Sequence, residues 1–366
     1  MKNFTMKRVL AGTLCAAGVI ASALTTASAC TTIYAGANLT QENTRFIARS
    51  EDYGSDMNKL WFVSEPGAYS GTYRGCPEYG PFTYELSHPS YRFTYFKNDN
   101  VYDGVCPECG EENAQHASYT EFGTNEKGVS VSATETISGN DAVLSVDPYR
   151  NAGWAQENGK PAGIEEGDIP TVLLSEAGTA REGVALLTSI YENAGAAGGS
   201  GVFIGDQNET WFVENLTGHT YVALKLPDSV VFMQPNVSAI GKIDLDDTDN
   251  VIASADAISV AQKAGTFVGD AAANVIDWNA SYNNEDNARM PAGLNYLNGV
   301  DTYTEDNYTE ADYAMSNIGG DGSIVPLYSN IKLTKKFGVE DALNFFKVEP
   351  IGKTNNVETH LFQVSS

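Results

Sequence analysis

Cys30 is the residue on which reactive chemistry converges most directly. It follows Ala27-Ser28-Ala29, a small-x-small pattern, at the end of a leader that opens with Lys2, Lys7 and Arg8 and runs apolar from Val9 to Leu24. Such a leader reads as a bacterial-type signal peptide over residues 1–29, cut behind Ala29. The cut would leave Cys30 first, with a thiol and a free α-amine on one residue. An α-amine titrates near ~8 and a thiol near ~8.5, so a useful share of the amine is neutral close to pH 7. Nucleophile and base are then already held together, the pairing an N-terminal nucleophile uses for amide hydrolysis. None of the four histidines stands beside Cys30 in sequence. Two other readings of the segment remain open. A cysteine behind a leader can carry a lipid anchor, although that site usually has Leu where this chain has Ala27. It can also join a disulfide in an exported protein.

Strands are expected on both sides of the first turn. Thr31–Ala37 and Thr44–Ser50 read as a hairpin that begins at Cys30. Residues 64–123, rich in Gly, Pro, Tyr and Ser and with short strand-like pieces, read as an insertion over the core. Gly128–Thr136 alternates apolar and polar residues, the pattern of a half-buried strand. Thr179-Ala180-Arg181-Glu182 is a capping-box signature, with Ala180, Val184, Leu187 and Tyr191 on one helical face and Asn193-Ala194-Gly195 as the stop. Gly201–Ile204, Thr210–Glu214 and Thr220–Leu226 read as three strands, Val251–Lys263 as a helix, and the tail from Ala342 as a short helix and a last strand around His360–Val364. Strands and helices grouped in runs argue for a layered α+β fold.

The chain is strongly acidic, with a formal charge of −25 that grows more negative once the basic leader is removed. Such a field repels nucleic acid and anionic membrane surfaces. Beyond the leader no apolar run reaches about 18 residues, so no membrane span is expected. The sequence carries no signal for an oligomeric state.

From Cys30 to about Gln363 the chain resembles the cysteine dipeptidase family of N-terminal-nucleophile (Ntn) hydrolases, relatives of choloylglycine hydrolase and penicillin V acylase. The resemblance is carried by Cys30-Thr31-Thr32-Ile33, Ala48-Arg49-Ser50-Glu51-Asp52, Asn125-Glu126-Lys127-Gly128-Val129, Thr134-Glu135-Thr136, Gly163-Ile164-Glu165-Glu166, Thr179-Ala180-Arg181-Glu182, Gly218-His219 and Glu358-Thr359-His360. It implies a four-layer αββα sandwich over residues 30–366, with Cys30 facing the cleft between two sheets. It also implies that Arg49 and Asp52 flank Cys30. The cation would lower the thiol and amine pKa values, and the carboxylate would orient the amine. The Asn236 side chain and the Glu135 backbone N–H would hold the oxyanion. Arg289 would match a downstream arginine of the relatives. Glu135 replaces the Asn of bile-salt hydrolases, which bears on substrate choice rather than on a backbone donor. The implied activity is hydrolysis of dipeptides or short peptides, without metal or organic cofactor, in an exported or cell-envelope protein. The rivals are acylase action on N-acyl amino acids, including bile-salt conjugates, and a lipid-anchored surface binding protein. Members of the family usually continue past this Glu-x-His segment. A chain stopping at Ser366 is expected to be a short member or to lack the final strands.

Three cysteines fall in the expected insertion. Cys76 opens Cys-Pro-Glu-Tyr-Gly, and Cys106 and Cys109 bracket Cys-Pro-Glu-Cys. They read as one disulfide plus a thiol, or as a zinc knuckle completed by His88 or His116. Tyr79 stands where a second knuckle would need a cysteine. Asp244–Asp249 lacks the glycine and distal glutamate of a calcium loop and reads as a solvated acidic turn. Trp154, Trp211 and Trp278 read as core or cleft-wall aromatics.

Overall fold

A computed structural model describes residues 30–52, 59–75, 82–98, 119–135, 137–284 and 287–365. The leader and Cys76, Cys106, Cys109 and His116 lie outside the described residues.

The expected hairpin forms from Thr31–Ala35 and Arg45–Asp52, with Thr32 opposite Arg49 and Tyr34 opposite Ile47. Val231–Gln234 flanks it on one side and Asn356–Val364 on the other, completing an antiparallel four-stranded sheet. An eight-stranded sheet runs in the order Val251–Ala253, Tyr221–Lys225, Thr210–Asn215, Ser200–Gly205, Ser130–Thr134, Thr120–Asn125, Phe93–Asn98 and Lys59–Ser64.

Period-two alternation decides what each face meets. Tyr34, Ile47 and Phe232 of the small sheet pack against Phe203, Phe212, Val222 and Leu224 of the large one. The Phe203 and Phe232 rings stack at 5.5 Å between centroids. The other face of the large sheet buries Val131, Ala133, Val202 and Val213 against the helices Ile169–Glu176 and Ala180–Asn193. The other face of the small sheet buries Ile33, Ala35, Phe46 and Met233 against Arg289–Asn298 and Val339–Phe345. No helix among the described residues is long and apolar enough to cross a membrane.

The Ala180–Asn193 helix starts as its sequence predicts. The Thr179 hydroxyl accepts from Glu182 N at 3.2 Å, and Glu182 reaches back one residue further than a capping box requires, to Gly178 N at 2.8 Å. Ala180, Val184, Leu187 and Tyr191 are all buried.

Three expectations are corrected. Residues 64–123 are not simply an insertion, because Phe93–Asn98 and Thr120–Asn125 are inner strands of the large sheet. Among the described residues of this segment, the paired strands Thr72–Arg74 and Thr83–Glu85 form a small sheet of their own, capping the core through Tyr73 and Phe82. Ser130–Thr134 is buried on both faces rather than half-buried, since its small polar residues face the second sheet. Val251–Lys263 divides into the edge strand Val251–Ala253 and the helix Ala257–Ala264, because strand pairing with Val222–Leu224 captures the β-branched start. At Asp244–Asp249 the chain turns, with Asp246 N donating to Asp244 Oδ1. Trp211 and Trp278 are core residues, while Trp154 is half-buried with Arg150 over its ring.

Candidate active site

Cys30 precedes a buried strand, and strand parity turns its side chain toward the second sheet, on the face that carries Thr32 and Tyr34. Arg49 shares that face. Its Nη2 lies 3.2 Å from Cys30 Sγ, 3.2 Å from Glu121 Oε2 and 3.2 Å from Glu166 Oε1. Two N–H bonds thus serve three acceptors. Tyr119 OH donates to the other oxygen of Glu166.

Glu121 reaches this cleft because of a bulge. Phe96 pairs with Phe122 and Lys97 with Thr120, leaving Glu121 as the extra residue on its strand. An extra residue re-aims the side chain that ordinary alternation would send toward the helices. A second bulge at Val357 brings Glu358 opposite Glu51. Glu51, Glu121 and Glu358 therefore converge. Lys59 Nζ donates to Glu51 Oε1 at 2.6 Å and also to Glu121.

His360 stands opposite Arg49 on the neighbouring strand. Its Nδ1 lies 3.0 Å from Glu358 Oε1, so Nδ1–H donates there and Nε2 accepts from Ser132 Oγ at 2.9 Å. Phe122 stacks on the ring at 3.6 Å. Both ring nitrogens are thus occupied, which leaves no free base on this histidine.

The opposite face of the same strands holds Asp52 and Thr31, and Arg289 covers them. Arg289 Nη1 donates to Cys30 O at 3.2 Å, Thr31 Oγ1 at 3.3 Å and Asn236 Oδ1 at 3.4 Å, while Nη2 donates to Asp52. Asn236 adopts φ 53°, a left-handed conformation that Asn tolerates better than most residues. With its Oδ1 turned to Arg289, its NH2 is directed away as a donor.

Burial pushes the Cys30 thiol up, Arg49 pulls it down, and Glu166 and Glu51 push it up again; the balance stays above the ordinary thiol value. Arg49 donates to the sulfur and can stabilise a thiolate but cannot take its proton, so forming the thiolate calls for a separate base. Glu135 lies against Gly198, where a Cβ would collide with its carboxylate, and its side chain still reaches solvent. The partial loss of water around it and the charge of the neighbouring Glu166 raise the Glu135 carboxyl above the ordinary carboxylate range.

The structure thus gathers Cys30, Arg49, Asp52 and Asn236 around one end of the hairpin, with Cys30 Sγ and Arg49 on one face and Arg289 binding Asp52, Asn236 and the Cys30 carbonyl on the other. Glu135 follows the Ser130–Thr134 strand, which lies in the sheet facing Cys30. Glu121, Lys59 and Glu214 were not singled out in the sequence. A signal existed for Glu214, a carboxylate in the phase of the Thr210–Asn215 strand that Phe212 marks as core. For Glu121 there was none, since a bulge breaks the alternation that would reveal it.

The chain belongs to peptidase family C69, whose model matches residues 29–290. Over 284 residues it is 33% identical to the protein named Probable dipeptidase B of Streptococcus pyogenes serotype M6, covering 76% of this chain and 52% of that protein. It is 32% identical over 259 residues to the Probable dipeptidase of Salmonella dublin, covering 70% of this chain and 54% of that protein. The chain thus spans about half the length of the curated relatives it matches. Among solved structures, penicillin V acylase from Agrobacterium tumefaciens aligns with a TM-score of 0.33 and 18% identity, over 54% of this chain and 49% of that one.

Proposed function

We propose that this chain is an exported dipeptidase that acts through Cys30 as an N-terminal nucleophile, exposed by cleavage behind Ala29. The observation that carries the reading is the Arg49 guanidinium 3.2 Å from a buried Cys30 sulfur at the start of a core strand. The dipeptidase names of the family relatives supply the substrate class. The helix–sheet–sheet–helix order of the three hydrophobic clusters supports a four-layer αββα sandwich of the Ntn-hydrolase kind.

In this mechanism the neutral α-amine of Cys30 takes the thiol proton, with Asp52 accepting a hydrogen bond from the amine. The thiolate attacks the peptide carbonyl while Arg49 holds the negative sulfur. The Asn236 amide and the Glu135 backbone N–H stabilise the oxyanion. Collapse breaks the C–N bond, and the ammonium returns its proton to the leaving amine. Water, deprotonated by the same amine, then hydrolyses the thioester and regenerates the thiol. No step draws on a metal or organic cofactor.

The test has two parts. N-terminal sequencing and intact mass of the exported protein are expected to give an unmodified Cys30 as the first residue. That protein is expected to hydrolyse dipeptides, and Cys30→Ala is expected to abolish turnover. A lipid on Cys30, or undiminished hydrolysis by Cys30→Ala, would overturn the reading.

A further inference from the structure

Glu214 is a fully buried carboxylate in a position that alternation assigns to the core between the sheets. Burying a carboxylate is costly unless its oxygens are satisfied. Here four donors satisfy them. Oε1 accepts from Gln234 Nε2 at 2.9 Å and Ala239 N at 2.7 Å. Oε2 accepts from Ser238 Oγ at 2.6 Å and Trp278 Nε1 at 3.2 Å. No salt bridge to Glu214 is found among the described residues. Three of the four donors lie on residues 234–239, on both sides of Asn236. This is the segment that must hold Asn236 at φ 53°. Two further bonds reinforce it: Ser238 N donates to Asn283 Oδ1 at 3.3 Å, and Asn279 Nδ2 donates to Ser238 O at 2.7 Å.

We propose that Glu214 is a positioning residue for the oxyanion site, clamping the loop on both sides of Asn236 so that its amide points at the reacting carbonyl. The proposal rests on the reading of Asn236 as an oxyanion donor. A single carboxylate suits the role because it accepts from all four donors, whereas a carboxamide must turn an NH2 toward one of those pairs. In Glu214→Gln the new NH2 faces Ser238 Oγ, whose hydroxyl can rotate to accept, and the Trp278 N–H loses its partner. The loop then loosens without an empty cavity.

The experiment is a double-mutant cycle between Glu214→Gln and Asn236→Ala, read on dipeptide hydrolysis and on alkylation of Cys30. Loss of one oxyanion donor typically lowers kcat by roughly 10²–10³-fold. Glu214→Gln is expected to lower kcat by about tenfold or more, with KM and the Cys30 alkylation rate within about twofold of the parent. Asn236→Ala is then expected to cost clearly less in the Glu214→Gln background than in the parent. An unchanged kcat, or an undiminished Asn236→Ala effect in both backgrounds, overturns the proposal. Should Glu214→Gln fail to fold, Ser238→Ala removes one donor alone. It is expected to lower kcat about threefold, and an unchanged kcat overturns the proposal. If the parent does not hydrolyse dipeptides, the functional reading fails and the clamp is decided separately by hydrogen exchange. At least tenfold faster exchange at Val237–Ala239 in Glu214→Gln, with the strands unchanged, supports it, and unchanged exchange there overturns it.

Discussion

Replacing Arg289 by methionine removes the main cation from Asp52 and tests whether Asp52, Asn236 and the Cys30 carbonyl depend on one side chain. The two side chains are nearly sealed, with relative exposures of 2% and 0%. Breaking a buried ion pair from one side costs about 3–5 kcal/mol. Lys353 Nζ lies 3.8 Å from Asp52 Oδ2 and is 38% exposed, so it can take over part of the charge. The lower end, about 3 kcal/mol, is therefore expected. With an unfolding entropy of about 2.1 cal/mol/K per residue, or roughly 0.7 kcal/mol/K for the chain, this corresponds to about 4 °C in Tm. Adding Asp52→Asn removes the stranded charge and is expected to recover half or more of the loss. Activity is expected to behave differently. Arg289 also holds Cys30 O and Asn236 Oδ1, so both variants are expected to lose roughly 10²-fold or more in kcat. Urea denaturation, thermal melting and dipeptide turnover on the three proteins read these terms separately. A single variant within about 1 kcal/mol of the parent would refute the reasoning, because breaking a sealed pair cannot be that mild. A double variant no more stable than the single, or one that regains activity together with stability, would refute it as well.

Other consequences follow from the same geometry. In Arg49→Lys, one ammonium on a different stem cannot reproduce the guanidinium's contacts to Cys30, Glu121 and Glu166. The pH profile of Cys30 alkylation, followed peptide by peptide in a mass spectrometer, is expected to move up by about one unit or more; an overlaid profile would exclude Arg49 as the thiolate's counter-charge. Burial pushes the His360 pKa down in the folded chain, with Glu358 pulling up and Arg49 pushing down. Unfolding then takes up a proton, so this residue's contribution to stability is present above about pH 6.5 and is lost as pH falls below it. His360→Asn is expected to flatten that acid-side slope in a stability–pH series, and an unchanged slope would rule out His360 as its source. At Gly201 a Cβ would collide with Gln234 Oε1 between the sheets. Gly201→Ala is expected to destabilise by about 1–3 kcal/mol in urea unfolding, and a neutral effect would show that Gln234 moves freely.

How much of this was legible in the sequence depended on whether the signal was local. The hairpin behind Cys30, the Thr179-capped helix and the three strands from Ser200 to Lys225 carry their periodicity and caps within a few residues. The Lys59–Ser64 and Phe93–Asn98 strands were obscured because their partners are distant in sequence and their surroundings are rich in Gly, Pro and Tyr, while Thr120–Asn125, which pairs with the nearby Ser130–Thr134, was obscured by the bulge that interrupts its alternation. The Val251–Ala253 strand lost to a helical reading because edge pairing, rather than propensity, decides three residues. In the site, Cys30, Arg49, Asp52 and Asn236 were reached through motifs. Glu121 was not, since its direction comes from a bulge that only pairing reveals. Glu214 was visible only as a charge at an apolar phase, and its four partners come from the Gln234–Ala239 stretch and from Trp278.

The central claim is that Cys30 supplies both the nucleophile and the base. It is tested most directly by comparing dipeptide hydrolysis by a chain that begins at a free Cys30 with hydrolysis by the same chain carrying one further residue ahead of it. Both chains keep the thiol and its Arg49 contact, and only the α-amine becomes an amide. The account predicts turnover from the first and a loss of roughly 10²–10⁴-fold in the second, the range expected when a general base is removed. Equal turnover from the two chains would contradict it.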